Sequence, residues 1–328
     1  MRERYRILQS NTFAFLIAIS QTSKNELIQI RIIDKIQTAA WLLTRHGDTV
    51  HRLRLHRKFR QENHDWIRTS NWKNRIQDAV ASPDNAYIPR VHRAGQIING
   101  ELIMHNGLRV GELSYDGEGP RNLMVANRGV HEPQEERVFQ EVLRVLPPGS
   151  VMLELGSSWA FYSMWFYREV AEARCFCVEP APDNLPMGQK NFALNFGEKP
   201  ARVQFEQAYV DATDDVAGDG TPILSVDSLM AKYSIVRLAI LHADTQGHEV
   251  NVLLGAQNAL AARTIDYIFL STHTNELHRK CLARLKKHRY VVLADVDLLE
   301  TFSFDGLIVA RREELEGPGV FSLSRKGL

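Results

Sequence analysis

No G-x-G-x-x-G run occurs in the 328 residues. That absence argues against a pyrophosphate-cradling turn, and so against a dinucleotide-dependent dehydrogenase. Cysteine is limited to Cys175, Cys177 and Cys281. The first two stand two apart on a predicted strand, where they share a face and the extended backbone keeps them from bridging. All three read as small hydrophobes of a reducing compartment. The most apolar run near the N-terminus, Phe13 to Ile19, is far too short to span a bilayer, and no cleavage site follows it convincingly. The expected location is cytoplasmic. An excess of one charge is missing too: 40 Lys and Arg against 39 Asp and Glu leave a net +1, so no nucleic-acid partner is expected and disorder is not indicated. Neither an internal repeat nor a low-complexity tract appears.

What is present is organised around Val151 to Ser163, VMLELGSSWAFYS. The run predicts a buried strand, a tight turn at Gly156 and the start of a helix. Glu154 interrupts the strand with a charge that must be specifically hydrogen-bonded to sit in a dry core. An acid two residues before the turn glycine suits a positively charged, phosphate-free ligand, and S-adenosylmethionine (SAM) is one.

Residues 1–90 read as a basic helical accessory region, with 15 Lys/Arg against 6 Asp/Glu from Met1 to Arg75. The run at 51–60, HRLRLHRKFR, is either an anion- or membrane-facing surface or a solvated helix face with Leu53, Leu55 and Phe59 turned inward. This region is a domain or an oligomerisation arm; the second reading makes the protein a homo-oligomer through its N-terminal helices. Residues 91–130 read as an extended and hairpin segment for substrate recognition. Its Asn-Gly pairs at 99–100 and 106–107 predict a small antiparallel element over about 96–126. Pro133 and the acids around it open a helix running to about Leu146.

From Ser150 strands and helices alternate. Strands are expected at 151–155, 175–179, 203–207, 238–243, 265–270, 290–294 and 307–310, and helices at about 185–196, 225–233, 247–260 and 275–288. The alternation predicts an α/β fold with an open, mostly parallel, doubly wound sheet over 131–312, then a C-terminal tail at 313–328.

In such a sheet ligands collect beyond the carboxyl ends of the strands. That rule nominates Glu154, Gly156 and Ser157 after the first strand, and Glu179 with Asn184 after the second, where a carboxylate can accept both hydroxyls of a ribose. Glu135 and His131, from the preceding helix, are weaker candidates to cap a cofactor. The fourth strand runs into His242-Ala-Asp244-Thr-Gln-Gly-His248-Glu249 and the fifth into His273. An antiparallel seventh strand brings Asp305 to the same rim. Asp244, His273 and Asp305 are therefore expected to converge. Either His273 is a general base assisted by Asp244, or the three bind a divalent ion such as Mg²⁺ that acidifies an acceptor hydroxyl. A third reading leaves Asp244 and Thr274 as helix caps and His273 as structural. The His248-Glu249 pair lacks the second histidine of a zinc motif and reads as a helix start.

The order of these pieces resembles the FkbM family of SAM-dependent methyltransferases. The stretches that carry the resemblance are ELGSSWAFYS, VEPAPDN, SVDSLM, HADTQGHEVNVLLGA and FLSTHT. They cover about residues 135–311, and Asp244 to Glu249 looks like the family's Asp-x-(Glu/Gln)-Gly-x-Glu signature. The resemblance implies a class I methyltransferase fold, sheet order 3-2-1-4-5-7-6, and methylation of a hydroxyl, often on a sugar or polyketide. It implies SAM contacts from Glu154, Gly156, Glu179 and Asn184, and Asp244 beside the acceptor. The first turn departs from the family's usual Asp-x-Gly-Ala-Asn-x-Gly, and Ser271 stands where the family often has Glu. The expected activity is O-methylation of a saccharide or saccharide-containing metabolite. An N- or C-methyltransferase, and a non-catalytic anion- or membrane-surface-binding protein, are the rivals.

Overall fold

Runs of apolar residues buried on both faces form the centre of the molecule. A computed structural model describes residues 72–328 apart from Asp116, Lys199 and Leu328. The basic run at 51–60 and most of the 1–90 accessory region lie outside the described residues.

The chain begins with α1 (Trp72–Ala81) and a 3-10 turn at Pro83–Tyr87, then three short strands, β1 (Ile97–Ile98), β2 (Glu101–Ile103) and β3 (Arg109–Gly111). These form an antiparallel sheet in that order. Asn99 and Gly100 both take positive φ, 53° and 79°, the backbone that a two-residue hairpin between right-twisted strands demands. The antiparallel element is shorter than the expected 96–126: residues 118–126 coil into α2 (Glu118–Ala126), which buries Leu123 and Met124. The edge of β3 is covered by a helix. Asn195 accepts from Arg109 N (2.9 Å) and donates to Arg109 O (2.7 Å), while Asn191 accepts from Gly111 N (3.0 Å). The two amides, one helical turn apart, stand in for the missing partner strand.

Next come α3 (Pro133–Leu143), β4 (Val151–Leu155), α4 (Phe161–Glu169), β5 (Arg174–Val178), α5 (Leu185–Phe196) and β6 (Val203–Glu206). A small sheet of β7 (Tyr209–Val210), β8 (Asp215–Val216) and β9 (Pro222–Leu224) follows, then α6 (Val226–Lys232), β10 (Leu238–Ala243), α7 (Glu249–Gly255) and α8 (Gln257–Ala262). The expected single helix over 247–260 is thus two. The break falls where the bare Cα of Gly255 lies so close to Asp211 O that a Cβ would stand 2.4 Å away. The chain closes with β11 (Ile265–Thr272), α9 (Asn275–Lys287), β12 (Tyr290–Val296) and β13 (Gly306–Arg312).

The main sheet has seven strands in the order β12-β13-β11-β10-β4-β5-β6. Numbered among themselves, they read 3-2-1-4-5-7-6 from the β6 edge. Neighbours from β11 to β6 are parallel, and β13 runs antiparallel to both β11 and β12. This is the Rossmann-like fold of class I methyltransferases. Strands β10 and β11 are buried along their whole length, which their near-continuous Ile, Leu, Phe and Ala content allows. One core, containing Phe139, Phe161, Phe166 and Phe269, packs on one face of the sheet; Leu153, Leu241, Ile268 and Ile308 face the other. Each fully buried side chain of this size contributes about 1.5–3 kcal/mol. Cys175, Cys177 and Cys281 are free and buried among them. Among the described residues no helix is long and apolar enough to cross a membrane.

The segment expected as a tail works as a strap. Phe321 N donates to Leu293 O (2.7 Å), Ser324 N to Asp84 Oδ2 (3.0 Å) and Lys326 N to Glu300 O (2.8 Å). Gln134, buried at the start of α3, donates to Ser324 O (2.6 Å), and its own oxygen accepts from Thr301 Oγ1 (3.1 Å) and Phe302 N (2.9 Å). One side chain therefore joins the strap to the loop that leads into Asp305.

Candidate active site

The loop after β4 has a left-handed twist at three alternate positions. Gly156 (φ 71°), Ser158 (φ 41°) and Ala160 (φ 61°) all take backbone that favours glycine. At Gly156 the requirement is absolute: a Cβ would stand 1.9 Å from Asp244 O. Sequence reading saw one glycine here. The Gly-x-Ser-x-Ala spacing of small residues was the signal it passed over. Gly156 N and Ser157 N both donate to Val178 O (2.9 and 3.0 Å), which ties the loop to the end of β5.

Glu179, just past β5, holds this loop from the other side. Its Oε2 accepts from Ser158 N (2.9 Å), and Oε1 accepts from Ala181 N (3.0 Å) and Asn184 Nδ2 (3.4 Å). A carboxylate has about four acceptor positions, so one remains for a ribose hydroxyl. Ser157 Oγ is buried without a partner. The orphan Ser157 hydroxyl and the spare position on Glu179 fit SAM at this end of the sheet.

Glu154 and Glu135 sit deeper. Glu154 accepts from Ser163 N (3.0 Å) at the start of α4, the specific bond its burial requires, and burial pushes its carboxyl up. Glu135 has both oxygens engaged, Oε1 with His242 Nε2 (2.7 Å) and Oε2 with Ser271 Oγ (3.2 Å). His242 and Asp244 do not act together: His242 points back under the sheet end to Glu135, and Asp244 faces outward. His131 is likewise committed. It stands between Glu132 Oε2 (3.0 Å) and Glu136 Oε1 (2.7 Å), while Glu136 Oε2 meets His105 Nε2 of the antiparallel segment (3.1 Å). Tyr162 donates to Glu132 (3.0 Å). Aromatic rings enclose this network: Tyr115 stacks on Trp159 (4.8 Å) and Trp159 on Phe161 (5.1 Å).

Asp244, His273 and Asp305 do converge. His273 Nε2 lies 3.3 Å from Asp244 Oδ1 and 3.4 Å from Asp305 Oδ1, and Nδ1 donates to Glu249 Oε1 (2.9 Å). Glu249 is the member that sequence reading missed. It was read as a helix-start acid, and it does accept from Gly247 N (2.8 Å), but it is fully buried beneath the histidine. Thr274 caps α9 by accepting from Leu277 N (3.1 Å).

These contacts bear on two expectations about His273. Burial opposes its charge, yet hydrogen bonding to Asp244 and Glu249 and the charge of Asp305 raise its pKa to about 11. A ring protonated on both nitrogens has no lone pair, which argues against His273 as the base or as a metal ligand. Among the described residues no group of three or more His, Cys, Asp or Glu is arranged to hold a metal ion, and Mg²⁺ has no support there. Asp305 differs. Burial, and then the nearby charge of Asp244, push its carboxyl to about 7 against the opposing pull of His273. Its Oδ1 and His273 Nε2 are both buried without a well-aligned hydrogen-bond partner. Beside Asp305 is a cavity of about 10 Å³ bounded by Glu132, Glu135, Ser271, Thr301 and Ser303, room for one water.

No known family profile matches the chain, and no curated protein is similar to it. Similar solved structures include precorrin-6y C5,15-methyltransferase from Geobacter metallireducens (16% identity, 55% of this chain and 89% of that one, TM-score 0.38). Another is TrmK from M. capricolum in complex with S-adenosyl-homocysteine (14%, 55% and 71%, 0.36). A third is ribosomal protein L11 methylase from Lactobacillus delbrueckii (10%, 57% and 82%, 0.36). The strand order and direction in this chain establish its fold as that of the class I methyltransferases.

Proposed function

We propose that the protein is a SAM-dependent methyltransferase acting on a hydroxyl of a saccharide or saccharide-containing acceptor. The observation that carries the hydroxyl is the orphan pair at the rim, His273 Nε2 with a proton to give and Asp305 Oδ1 with a lone pair free, 3.4 Å apart. A hydroxyl both accepts and donates, so it satisfies the two at once. When bound, SAM supplies a methyl group on a sulfonium, an electrophile needing little covalent help. The acceptor oxygen gains the methyl carbon as the sulfur–carbon bond breaks, and its proton goes to Asp305. With its pKa near 7, Asp305 combines enough basicity with an ionised fraction at neutral pH. His273 orients the oxygen, and holding the reactants in line supplies most of the acceleration. The saccharide and the FkbM relationship rest on the motif resemblance over 135–311.

The test is calorimetric titration with S-adenosylhomocysteine (SAH), on the native protein and on Glu179→Ala and Asp305→Asn. Micromolar binding, lost in the first variant and kept in the second, is expected. A well-folded protein that does not bind SAH overturns the reading.

A further inference from the structure

We infer that the end of the main sheet opposite the candidate active site binds a small carboxylate with an apolar body. A cavity of about 360 Å³ opens there between the loop after α3 and the segment after β13. Val151, Ala239, Asp266 and Tyr267, at the starts of β4, β10 and β11, line it. Val145, Leu146, Pro147, Pro148 and Leu315 give it an apolar wall. The volume is at the small end of the range for ligand pockets. No residue assigned to the methyltransferase site lines it, so the inference stands apart from that reading.

Two buried polar atoms at this place have no partner. Tyr267 is 1% exposed, and its hydroxyl makes no hydrogen bond. Arg311, its register partner on β13, has a buried Nε in the same condition. Groups buried unpaired destabilise the free protein, and a ligand that pairs with them removes that cost. Gly317 covers both: a Cβ there would stand 2.2 Å from Tyr267 Oη and 3.4 Å from Arg311 Cδ. The amides of Glu316, Gly317, Gly319 and Val320 donate no hydrogen bond to other backbone. The cover can therefore lift over a head group without breaking a ladder or a helix.

Permanent charges set the sign of that head group. Asp266 accepts from Arg237 Nε (2.9 Å) and Nη2 (2.7 Å) and from Arg312 Nε (2.8 Å). One carboxylate thus meets two guanidiniums, and Arg237 Nη1 takes no part in these bonds. Arg311 adds a third cation, and Glu316, exposed at the mouth, a second anion. The pairs around them, Arg263 with Glu314, Arg289 with Glu313 and Arg144 with Glu141, cancel. One positive charge is left, which a monoanion matches. A planar carboxylate suits guanidinium donors better than an amide does, because both its oxygens accept and carry the charge.

The experiment titrates the full-length protein calorimetrically with hexanoate and 3-phenylpropionate, and with the matching amides and amines. The carboxylates are expected to bind with Kd below about 1 mM, and the amides and amines about tenfold or more weakly. Val145→Trp, at an exposed position, fills the cavity and should abolish binding. Tyr267→Phe should weaken binding about fivefold while leaving the Tm of the free protein unchanged or higher, since it deletes a hydroxyl that has no partner. Glu179→Ala, at the other end of the sheet, should leave carboxylate binding as it was. Failure of both carboxylates to bind, equal binding of the amides, or preference for the amines each overturn the inference. So do binding that survives Val145→Trp, a lower Tm in Tyr267→Phe, and binding lost in Glu179→Ala.

Discussion

His273 donates from Nδ1 to the buried Glu249 at 2.9 Å, and that bond fixes which of its neighbours can act as a base. With Nδ1 protonated towards Glu249 and Nε2 facing Asp244 and Asp305, the ring holds its charge far above neutral pH. In the proposed mechanism, proton removal passes to Asp305.

Asp305→Asn is therefore expected to lower kcat by about 10²–10⁴, the usual worth of a general base, with SAH affinity unchanged. In the native enzyme kcat/KM should rise with pH as the carboxyl ionises near 7. A pH–rate profile flat from 6 to 8 would contradict this assignment.

Glu249→Gln removes the charge under His273 and should bring the imidazole pKa down by more than one unit. NMR titration of the ring protons reads this directly. An unchanged pKa would mean that Asp244 and Asp305 alone hold the proton.

Gly156→Ala meets both a positive φ and a Cβ 1.9 Å from Asp244 O. It should cost about 3 kcal/mol or more, since the clash is with backbone and adds to left-handed strain. Ser158→Gly, at a φ of 41°, should change stability by less than about 1 kcal/mol, because relief of strain is offset by a freer unfolded chain. Denaturant unfolding of the pair separates space from backbone strain.

The His131–Glu132 pair makes stability depend on pH at both ends. Burial would lower the His131 pKa, but Glu132 and Glu136 raise it to about 10; burial would raise Glu132, but His131 brings it to about 2. The histidine's contribution is complete below its unfolded pKa near 6.5 and disappears as pH climbs through 10. The glutamate's is complete above about 4.5 and disappears as pH falls through 2. Urea unfolding should thus show lower stability at pH 9 than at pH 6, and His131→Asn should flatten that difference.

Gln134→Ala leaves Ser324 O, Thr301 Oγ1 and Phe302 N without their shared partner. It should cost about 1–3 kcal/mol for the buried groups left unpaired, and lower kcat more than it weakens SAH binding. Equal losses in both would mean that the loop before Asp305 is held by other means.

Much of the fold was legible. Runs such as LAILHA and IDYIFLST can bury both faces only inside a parallel sheet, and their polar ends mark the rim where Asp244, His273 and Asp305 meet. What was hidden depends on which partner each polar group finds. Glu249 is two residues past a glycine, where a helix-start acid is the ordinary reading; its second bond, to a histidine 24 residues on, exists only once β10 and β11 are side by side. The left-handed Ser158 and Ala160 were masked because side chains are tolerated there under tertiary constraint. Residues 118–126 follow hairpin signals, yet the periodicity of Leu123 and Met124 against α1 prevails.

The strap at 318–326 sets an order of events during synthesis. When β13 emerges, every strand of the main sheet and the loop after β4 already exist. The strap contacts of Gln134, Asp84 and Glu300 are still to be made. A nascent chain at that stage can pair the strands of the main sheet, while the loop that leads into Asp305 still lacks its tie through Gln134 to the strap. That loop is therefore the last part of the sheet's rim to be fixed in place.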